Sequence, residues 1–221
     1  TARAEIARQL SALAARGATA FAVALDGKPI GLLAAADAPR ADAPSAVRRL
    51  RHLGLDLAMV TGDREETARA VARGLGVARV IAGASPARKS ELVAELRSQG
   101  RRVGMAGDGI NDAPALARAN LGFAMGGGTD VAIHSADVTL LRNRVGSVPD
   151  AIALSRRTMR VIRQNLFFSF FYNALAIPLA AGAFWPWTGW MLNPMVCGLA
   201  MALSDICVVA NSLRLRRFAP S

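Results

Sequence analysis

Residues 102–114, RVGMAGDGINDAP, combine an apolar run with a dense group of polar residues directly after it. Val103–Ala106 is apolar enough for a buried strand, and the next residues are Gly107-Asp108-Gly109-Ile110-Asn111-Asp112. In open α/β sheets, ligands bind just beyond the carboxyl ends of parallel strands. Glycine lets the backbone approach an oxyanion, and Asp108 and Asp112 offer the hard oxygen atoms that Mg²⁺ prefers. The stretch predicts a magnesium and phosphate site, while the alternative is an ordinary turn between strand and helix.

The composition is both basic and apolar. There are 27 Lys and Arg residues against 16 Asp and Glu, a net charge of +11, and 52% of the 221 residues are hydrophobic. Such a charge suggests nucleic acid or an anionic membrane surface as a partner. Nucleic acid is disfavoured, because the aromatic residues cluster in apolar stretches, at 167–172 and 184–190, rather than among the arginines. Cys197 and Cys207 lie in apolar sequence, which argues against a disulfide framework.

Strand and helix patterns alternate along residues 1–147, which we interpret as one domain. This alternation predicts an α/β fold with a parallel sheet and helices on both faces. Two apolar runs joined by Asp26-Gly27-Lys28 predict an additional hairpin near the start. The predicted strands are 19–25, 29–36, 55–60, 79–81, 103–106, 121–124 and 138–141, and the predicted helices are 2–15, 45–53, 65–75, 87–99, 113–119 and 130–134.

The sequence changes character in residues 148–221. An arginine-rich helix pattern at 150–164 runs into the uncharged stretch 166–184, and a second apolar stretch, 191–213, follows. Each stretch has the length of a membrane span, and three tryptophans lie between them. We expect a two-helix transmembrane hairpin, with the flanking arginines placing the α/β domain in the cytoplasm. Two buried helices of a soluble protein are the alternative.

Three parts of the α/β domain supply polar groups for chemistry. These are the Thr61-Gly62-Asp63 turn, Lys89 near the start of its helix, and the segment 108–112. Thr61 can donate a hydrogen bond to a phosphate oxygen, Lys89 can neutralise developing charge, and Asp108 can hold Mg²⁺. Together they predict a phosphoryl-transfer site.

Several segments also carry a family resemblance. The segments 59–63 (MVTGD), Pro86 with Lys89, 107–114 and 124–132 (AMGGGTDVA) resemble successive phosphorylation motifs of P-type ATPases. These ion pumps have a haloacid-dehalogenase-like, Rossmann-like core. The membrane part, with Tyr172-Asn173, 177–182 and 201–204, is similar to the last two core helices of the heavy-metal branch, nearest the copper-transporting group. The resemblance spans about residues 21–217.

The resemblance implies a role for each matching residue. Thr61, within the catalytic Thr61-Gly62-Asp63 motif, is similar to the threonine that contacts the aspartyl phosphate. Lys89 matches the lysine of the phosphorylation site, and Asp108 matches the Mg²⁺ ligand. ATP would phosphorylate an aspartate, and the metal would be occluded in the membrane and released on the far side. The remaining matches are Asn111 and Asp112, in the phosphate and magnesium network, and Tyr172, Asn173, Met201 and Ser204, at positions associated with the transported ion.

Some motifs of the family do not occur in the sequence. The Asp-Lys-Thr-Gly-Thr motif with the nucleophile is one, and Thr-Gly-Glu and Cys-Pro-Cys are others. In the family all of them precede the matched region, so the sequence is expected to be a C-terminal part that is inactive alone. The rival interpretation is a membrane-anchored, non-catalytic haloacid-dehalogenase-like module that binds metal or a partner.

The second apolar stretch mixes soft and hard metal ligands. Cys197, Met201 and Asp205 lie at i, i+4 and i+8 on a helix, with Ser204 beside them. Sulfur ligands suit Cu(I), whereas Asp205 favours a harder divalent metal or proton exchange. The cysteine and methionine could also serve only in packing, and Asp205 could pair with an arginine near the helix end.

The preferred prediction is a bacterial-type plasma-membrane pump that exports Cu(I), with Mg²⁺ and ATP as cofactors. Membrane lipid and a metal chaperone are expected partners. A pump for Zn, Cd, Co or Cu(II) is the alternative.

Overall fold

The computed structural model describes residues 2–15, 18–35, 39–183, 185–189 and 194–219. The chain divides into two compact units, Thr1–Pro149 and Asp150–Ser221. In chain order the elements are α1 (Ala2–Ala15), β1 (Thr19–Leu25), β2 (Lys28–Ala35), α2 (Ala43–His52), β3 (Ala58–Val60), α3 (Glu65–Leu75), β4 (Arg79–Ile81), α4 (Pro86–Ser98), β5 (Gly104–Gly107), a 3₁₀ turn (Ile110–Asp112), α5 (Ala113–Arg118), β6 (Leu121–Ala124), α6 (Asp130–Ser135), β7 (Val138–Thr139), α7 (Ser147–Ala180), α8 (Trp185–Thr188), α9 (Pro194–Leu213) and a second 3₁₀ turn (Arg214–Arg217).

Strands β1 and β2 form an antiparallel hairpin. Asp26 and Gly27 have φ values of 48° and 77°, the left-handed conformation that a tight two-residue turn requires at both positions. Leu25 pairs with Lys28 at the turn. The hairpin prediction is therefore confirmed, with β2 starting one residue earlier than expected.

Strands β3 to β7 pair in parallel, which confirms the predicted class of fold. β3 pairs with β4, while β5, β6 and β7 form a second ladder in that order. Among the described residues these are two ladders rather than the one sheet that we expected, because β3 does not pair with β5. Alternation of strands and helices predicts parallel pairing, but it does not specify which strands become neighbours.

The core of the first unit is built largely from small side chains. Ala46, Ala72, Ala115 and Leu116 have no exposed surface. Since alanine adds little bulk, the helices that carry it can pack closely. Ser90 Oγ on α4 also donates to the backbone oxygen of Pro114 on α5 at 3.2 Å. This contact joins α4, which carries Lys89, to α5, which directly follows the 3₁₀ turn with Asn111 and Asp112.

The second unit is helical, and α7 runs without interruption from its basic part into its apolar part. In the part of the chain that the structure describes, no helix is both long and apolar enough to cross a membrane. The predicted spans at 166–184 and 191–213 are not supported there. Helix α7 ends at Ala180, four residues before the predicted end of the first span. Residues 184 and 190–193 lie outside the described residues.

Candidate functional site

The loops after β3, β4, β5 and β6 form the candidate site in the first unit. The backbone N–H of Gly83 donates to Asp63 O at 2.8 Å, and that of Ala84 donates to Thr61 O at 2.9 Å. These bonds tie the loop after β3 to the start of α4. Parallel strands bring such loops to their carboxyl ends, where ligands bind.

Lys89 and Asp112 form the most buried ion pair among the described residues of this site. Lys89 Nζ donates to Asp112 Oδ1 at 2.8 Å, and the two side chains are only 13% and 14% exposed. The pair links α4 to the 3₁₀ turn after β5, 23 residues further on. The structure thus brings together two predicted site residues that the sequence separates.

Asp108 lies at the end of β5 and is half exposed. Its Oδ2 accepts a hydrogen bond from Arg40 Nη2 at 3.0 Å. The same guanidinium group also donates to Asn143 Oδ1. Sequence reasoning missed Arg40 and Asn143, because both stand in polar connections without any motif and arginine is common throughout the chain.

The glycine-rich segment 125–129 packs against the end of β5. The N–H of Met125 donates to Gly107 O at 3.1 Å, and the N–H of Thr129 donates to Asp108 O at 3.0 Å. A Cβ atom on Gly128 would lie 2.7 Å from Asp108 O. Glycine is therefore needed at position 128, so that the two loops can approach each other.

Thr61 and Asp63 form a closed turn after β3. The Thr61 hydroxyl donates to Asp63 Oδ2 at 2.8 Å and accepts from the Asp63 N–H at 3.2 Å. To donate to a phosphate, this hydroxyl must release the carboxylate. A Cβ on Gly62 would have its nearest neighbour at 3.7 Å, so steric crowding does not explain that glycine. Asn111 lies exposed on the 3₁₀ turn.

Arg88 and Lys89 are consecutive cations with different partners. Arg88 Nη1 contacts Glu95 at 2.6 Å on the exposed face of α4. The hydrogen bond and the charge of Glu95 raise the pKa of Arg88 above its usual value. Of these two cations, only Lys89 contacts a candidate site residue in the described contacts.

The Asp108 carboxylate has the chemistry expected of a Mg²⁺ ligand. It supplies hard oxygen atoms, it is 55% exposed, and it lies beside the backbone of a glycine-rich loop. Asp112 is a less available ligand, because its Oδ1 accepts the hydrogen bond from Lys89.

The predicted ligands of the transported ion lie in the second unit. Tyr172 and Asn173 are exposed on α7, Ser204 is half-buried on α9, and Asp205 is exposed beside it. The side chains of Cys197 and Met201 lie outside the described part of the structure. Among the described residues, no three His, Cys, Asp or Glu side chains are close enough to hold a metal ion.

Hydrogen bonds fix how α7 and α9 are aligned. Asn165 Nδ2 donates to Ser212 Oγ at 2.9 Å, and Asn211 Nδ2 donates to Asn165 Oδ1 at 2.8 Å. These bonds join the middle of α7 to the last turn of α9. Tyr172 lies about 10 Å beyond Asn165, and Ser204 lies about 12 Å before Ser212, at 1.5 Å per helical residue.

The fold and the first-unit site define a class of protein. Residues 2–120 match the family model described as haloacid dehalogenase-like hydrolase. A second model with the same description matches residues 89–152. Because the first match covers more than half of the chain, the chain belongs to the haloacid dehalogenase-like hydrolases.

Individual relatives narrow this class. The chain is 50% identical over 206 residues to a probable copper-transporting ATPase of Synechococcus elongatus, covering 93% of this chain and 28% of the relative. It is 49% identical over 205 residues to a copper-exporting P-type ATPase of Legionella pneumophila, again covering 93% and 28%. A solved zinc-transporting PIB-type ATPase in its E2.Pi state is 34% identical, with a TM-score of 0.80 over 96% of this chain and 34% of that one.

The predicted resemblance to heavy-metal P-type ATPases is thereby confirmed, and copper-exporting pumps are close relatives of the chain. The chain spans about 28% of the length of the curated relatives it matches.

Proposed function

We propose that this chain forms the phosphoryl-transfer region and part of the ion path of an ATP-driven heavy-metal pump that exports Cu(I). The observation that carries the proposal is the Lys89–Asp112 pair, held at low exposure next to the loop that presents Asp108. Two relatives are named as copper-transporting and copper-exporting ATPases, which supports copper as the transported ion.

Each candidate residue of the first unit has a separate role in the proposed phosphoryl transfer. Lys89, a fixed cation, stabilises the charge that develops on a phosphoryl group during transfer. Thr61 donates its hydroxyl to a phosphoryl oxygen after releasing Asp63, and Asp112 keeps Lys89 in position. Asp108 holds Mg²⁺, which when bound supplies positive charge to the phosphoryl oxygens and orients them. Asn111, exposed beside them, completes the polar lining.

The Asp-Lys-Thr-Gly-Thr motif, which in the family contains the phosphorylated aspartate, does not occur in this sequence. We assign it to a further strand that pairs with β5, because β5 is an edge strand in the ladder of the described residues. Unpaired edges of parallel strands are normally covered, and β3 and β4 form a ladder that could flank the same strand. This assignment makes the complete protein the ATP-hydrolysing unit.

The second unit supplies the ion path in the proposal. Tyr172 and Asn173 on α7 and Ser204 on α9 would contribute to it, with Met201 and Asp205, one helical turn apart, on the same helix as Ser204. A zinc or other divalent pump is the second candidate, favoured by the carboxylate of Asp205 and by the zinc-transporting structural neighbour.

The proposal includes a multi-pass membrane location with the first unit in the cytoplasm. Two observations support this location. The chain is similar to copper-transporting P-type ATPases, and the second unit exposes large apolar side chains. Phe170 is 72% exposed, Ile177 66% and Ile206 62%. Apolar side chains so exposed need an apolar environment, which lipid or neighbouring helices would supply. Donation of Cu(I) by a metal chaperone belongs to the same proposal.

The test measures ATP hydrolysis by the protein encoded by the complete gene, reconstituted in lipid with Cu(I), Cu(II), Zn(II) or Co(II). We expect Cu(I) to stimulate the wild type and the Asp205→Ser variant alike. Stimulation of the wild type by a divalent ion alone, with a changed preference in Asp205→Ser, would support the second candidate. A protein that hydrolyses no ATP with any metal would support the non-catalytic module.

A further inference from the structure

The Arg40 guanidinium group occupies the side of Asp108 that faces the loop before α2. Nη2 lies 3.0 Å from Asp108 Oδ2, and the two side chains are 33% and 55% exposed. The two residues are 68 positions apart in sequence, so this contact depends on the tertiary fold.

Arg40 is held in place by more than its ion pair. It donates to Asn143 Oδ1, and its own backbone oxygen accepts from the N–H of Ala43 at 2.9 Å. Two residues later, Asp42 Oδ2 accepts from the N–H of Gly146 at 2.8 Å. The segment 40–42 is thus attached at two points to the loop 143–146, which aims the guanidinium at Asp108.

A guanidinium and a magnesium ion cannot share this carboxylate without mutual repulsion. Both are cations that bind carboxylate oxygen atoms directly, and like charges within a few ångströms are unfavourable. A partly exposed Arg–carboxylate pair contributes little stability, so a stronger ligand can replace it.

We propose that Arg40 is a placeholder for Mg²⁺ at Asp108: it neutralises the carboxylate in the metal-free protein and is displaced when the metal binds. The inference rests on the proposed role of Asp108 in Mg²⁺ binding. Arg40 then sets the metal affinity of the site by competition. Its displacement removes the contact between the segment 40–42 and Asp108.

The test is Mn²⁺ binding, read by electron paramagnetic resonance, to the protein encoded by the complete gene without nucleotide. Mg²⁺ is added as a competitor, and Asp108→Asn defines the share of binding that belongs to this site. We expect Arg40→Gln and Arg40→Ala to bind Mn²⁺ about threefold to fivefold tighter than the wild type, the size of a lost half-exposed pair. The difference should shrink in 0.5 M KCl, because salt screens the ion pair.

The matched control is Arg101→Gln. Arg101 also forms an exposed pair, with Asp56 at 3.8 Å, but it has no contact with the site among the described interactions. Its substitution removes the same charge and should leave Mn²⁺ affinity unchanged. Circular dichroism of each variant shows whether the fold is retained.

Two results would overturn the inference in distinguishable ways. Unchanged or weaker Mn²⁺ binding in both Arg40 variants, with binding lost in Asp108→Asn, would reject the placeholder and keep the Mg²⁺ site. Wild-type binding in Asp108→Asn would reject the proposed role of Asp108 itself, and the placeholder with it.

Discussion

At the scale of single residues, Lys89 and Asp112 show how one contact can serve both stability and chemistry. The pair is only 13% and 14% exposed, so water compensates poorly for the loss of either partner. Lys28, the other lysine of the chain, is exposed in the turn of the first hairpin. The two lysines therefore carry the same ammonium group, which is largely buried at Lys89 and exposed at Lys28.

Replacing Lys89 by alanine should reduce both stability and activity. We expect a loss of about 1–3 kcal/mol in the free energy of unfolding, because the Asp112 carboxylate keeps its position without a partner. Metal-stimulated ATP hydrolysis by the complete protein should fall at least 100-fold, about the contribution of a fixed charge to a transition state. Urea denaturation followed by circular dichroism measures the first effect.

Lys28→Ala is the control for that substitution, and it should behave like the wild type in both assays. If Lys89→Ala retained full activity, the lysine would not act in phosphoryl transfer. If Lys28→Ala were equally destabilised, the effect would be one of net charge.

Gly107 offers a second test at the residue scale. A Cβ at this position would lie 2.7 Å from both the Cβ and the Oδ2 of Asp112, closer than such atoms can approach. Gly107→Ala must therefore displace Asp112 and disturb its bond to Lys89. We expect a loss of about 1–3 kcal/mol in the free energy of unfolding, as for other overpacked sites, measured by urea denaturation.

Gly104 on the same strand is the control, because its Cβ would have its nearest neighbour, Leu121 O, at 3.8 Å. Gly104→Ala should change stability by less than about 0.5 kcal/mol. Equal effects of the two substitutions would show that strand propensity, and not crowding of Asp112, determines the result.

At the scale of elements, α4 positions Lys89 through its first turn. Ser85 caps the helix by accepting the N–H of Arg88 at 3.2 Å, and Pro86 is its first residue. Serine at the cap and proline at the first helical position are typical helix-start signals.

Ser85→Ala should destabilise the first unit by about 1 kcal/mol, since the cap bond is lost. Thermal unfolding measures the change. Ser98→Ala, at the far end of the same helix, removes only a hydroxyl that donates to Glu95 O and should be nearly neutral. A neutral Ser85→Ala would mean that packing alone determines where α4 begins.

At the scale of the whole molecule, the described residues form two units with different surfaces. The first has an alanine-rich core, and the second exposes many large apolar side chains. All three tryptophans of these 221 residues lie within 185–190, so the tryptophan fluorescence of this chain by itself comes from that segment.

The proposed membrane location predicts quenching of this fluorescence by brominated lipids. Trp187 is 81% exposed, and tryptophan favours the interface between lipid and water. In a protein from the complete gene in which every tryptophan except Trp187 is replaced by phenylalanine, lipids brominated near the headgroup should quench more strongly than those brominated near the chain ends. The aqueous quencher acrylamide serves as the comparison, and quenching by acrylamide alone would contradict a membrane location.

Much of the local structure was determined by the sequence itself. Two elements have their predicted bounds: helix α3 at 65–75 and strand β6 at 121–124. The turn at Asp26-Gly27 is the tight hairpin turn that was predicted. Periodicity, helix-end residues and turn residues act over a few positions, so they can be interpreted without the fold. The residue types after the strands likewise indicated phosphoryl-transfer chemistry and the family.

Only the tertiary structure decided which of these parts meet. The contact of Arg40 with Asp108 and the separate ladders of β3 and β5 join or separate residues that are far apart in the sequence. The bilayer spans expected from apolar composition were also not supported in the described residues. Such features depend on the path of the chain and on packing between elements, and neither leaves a signal in a short stretch of sequence.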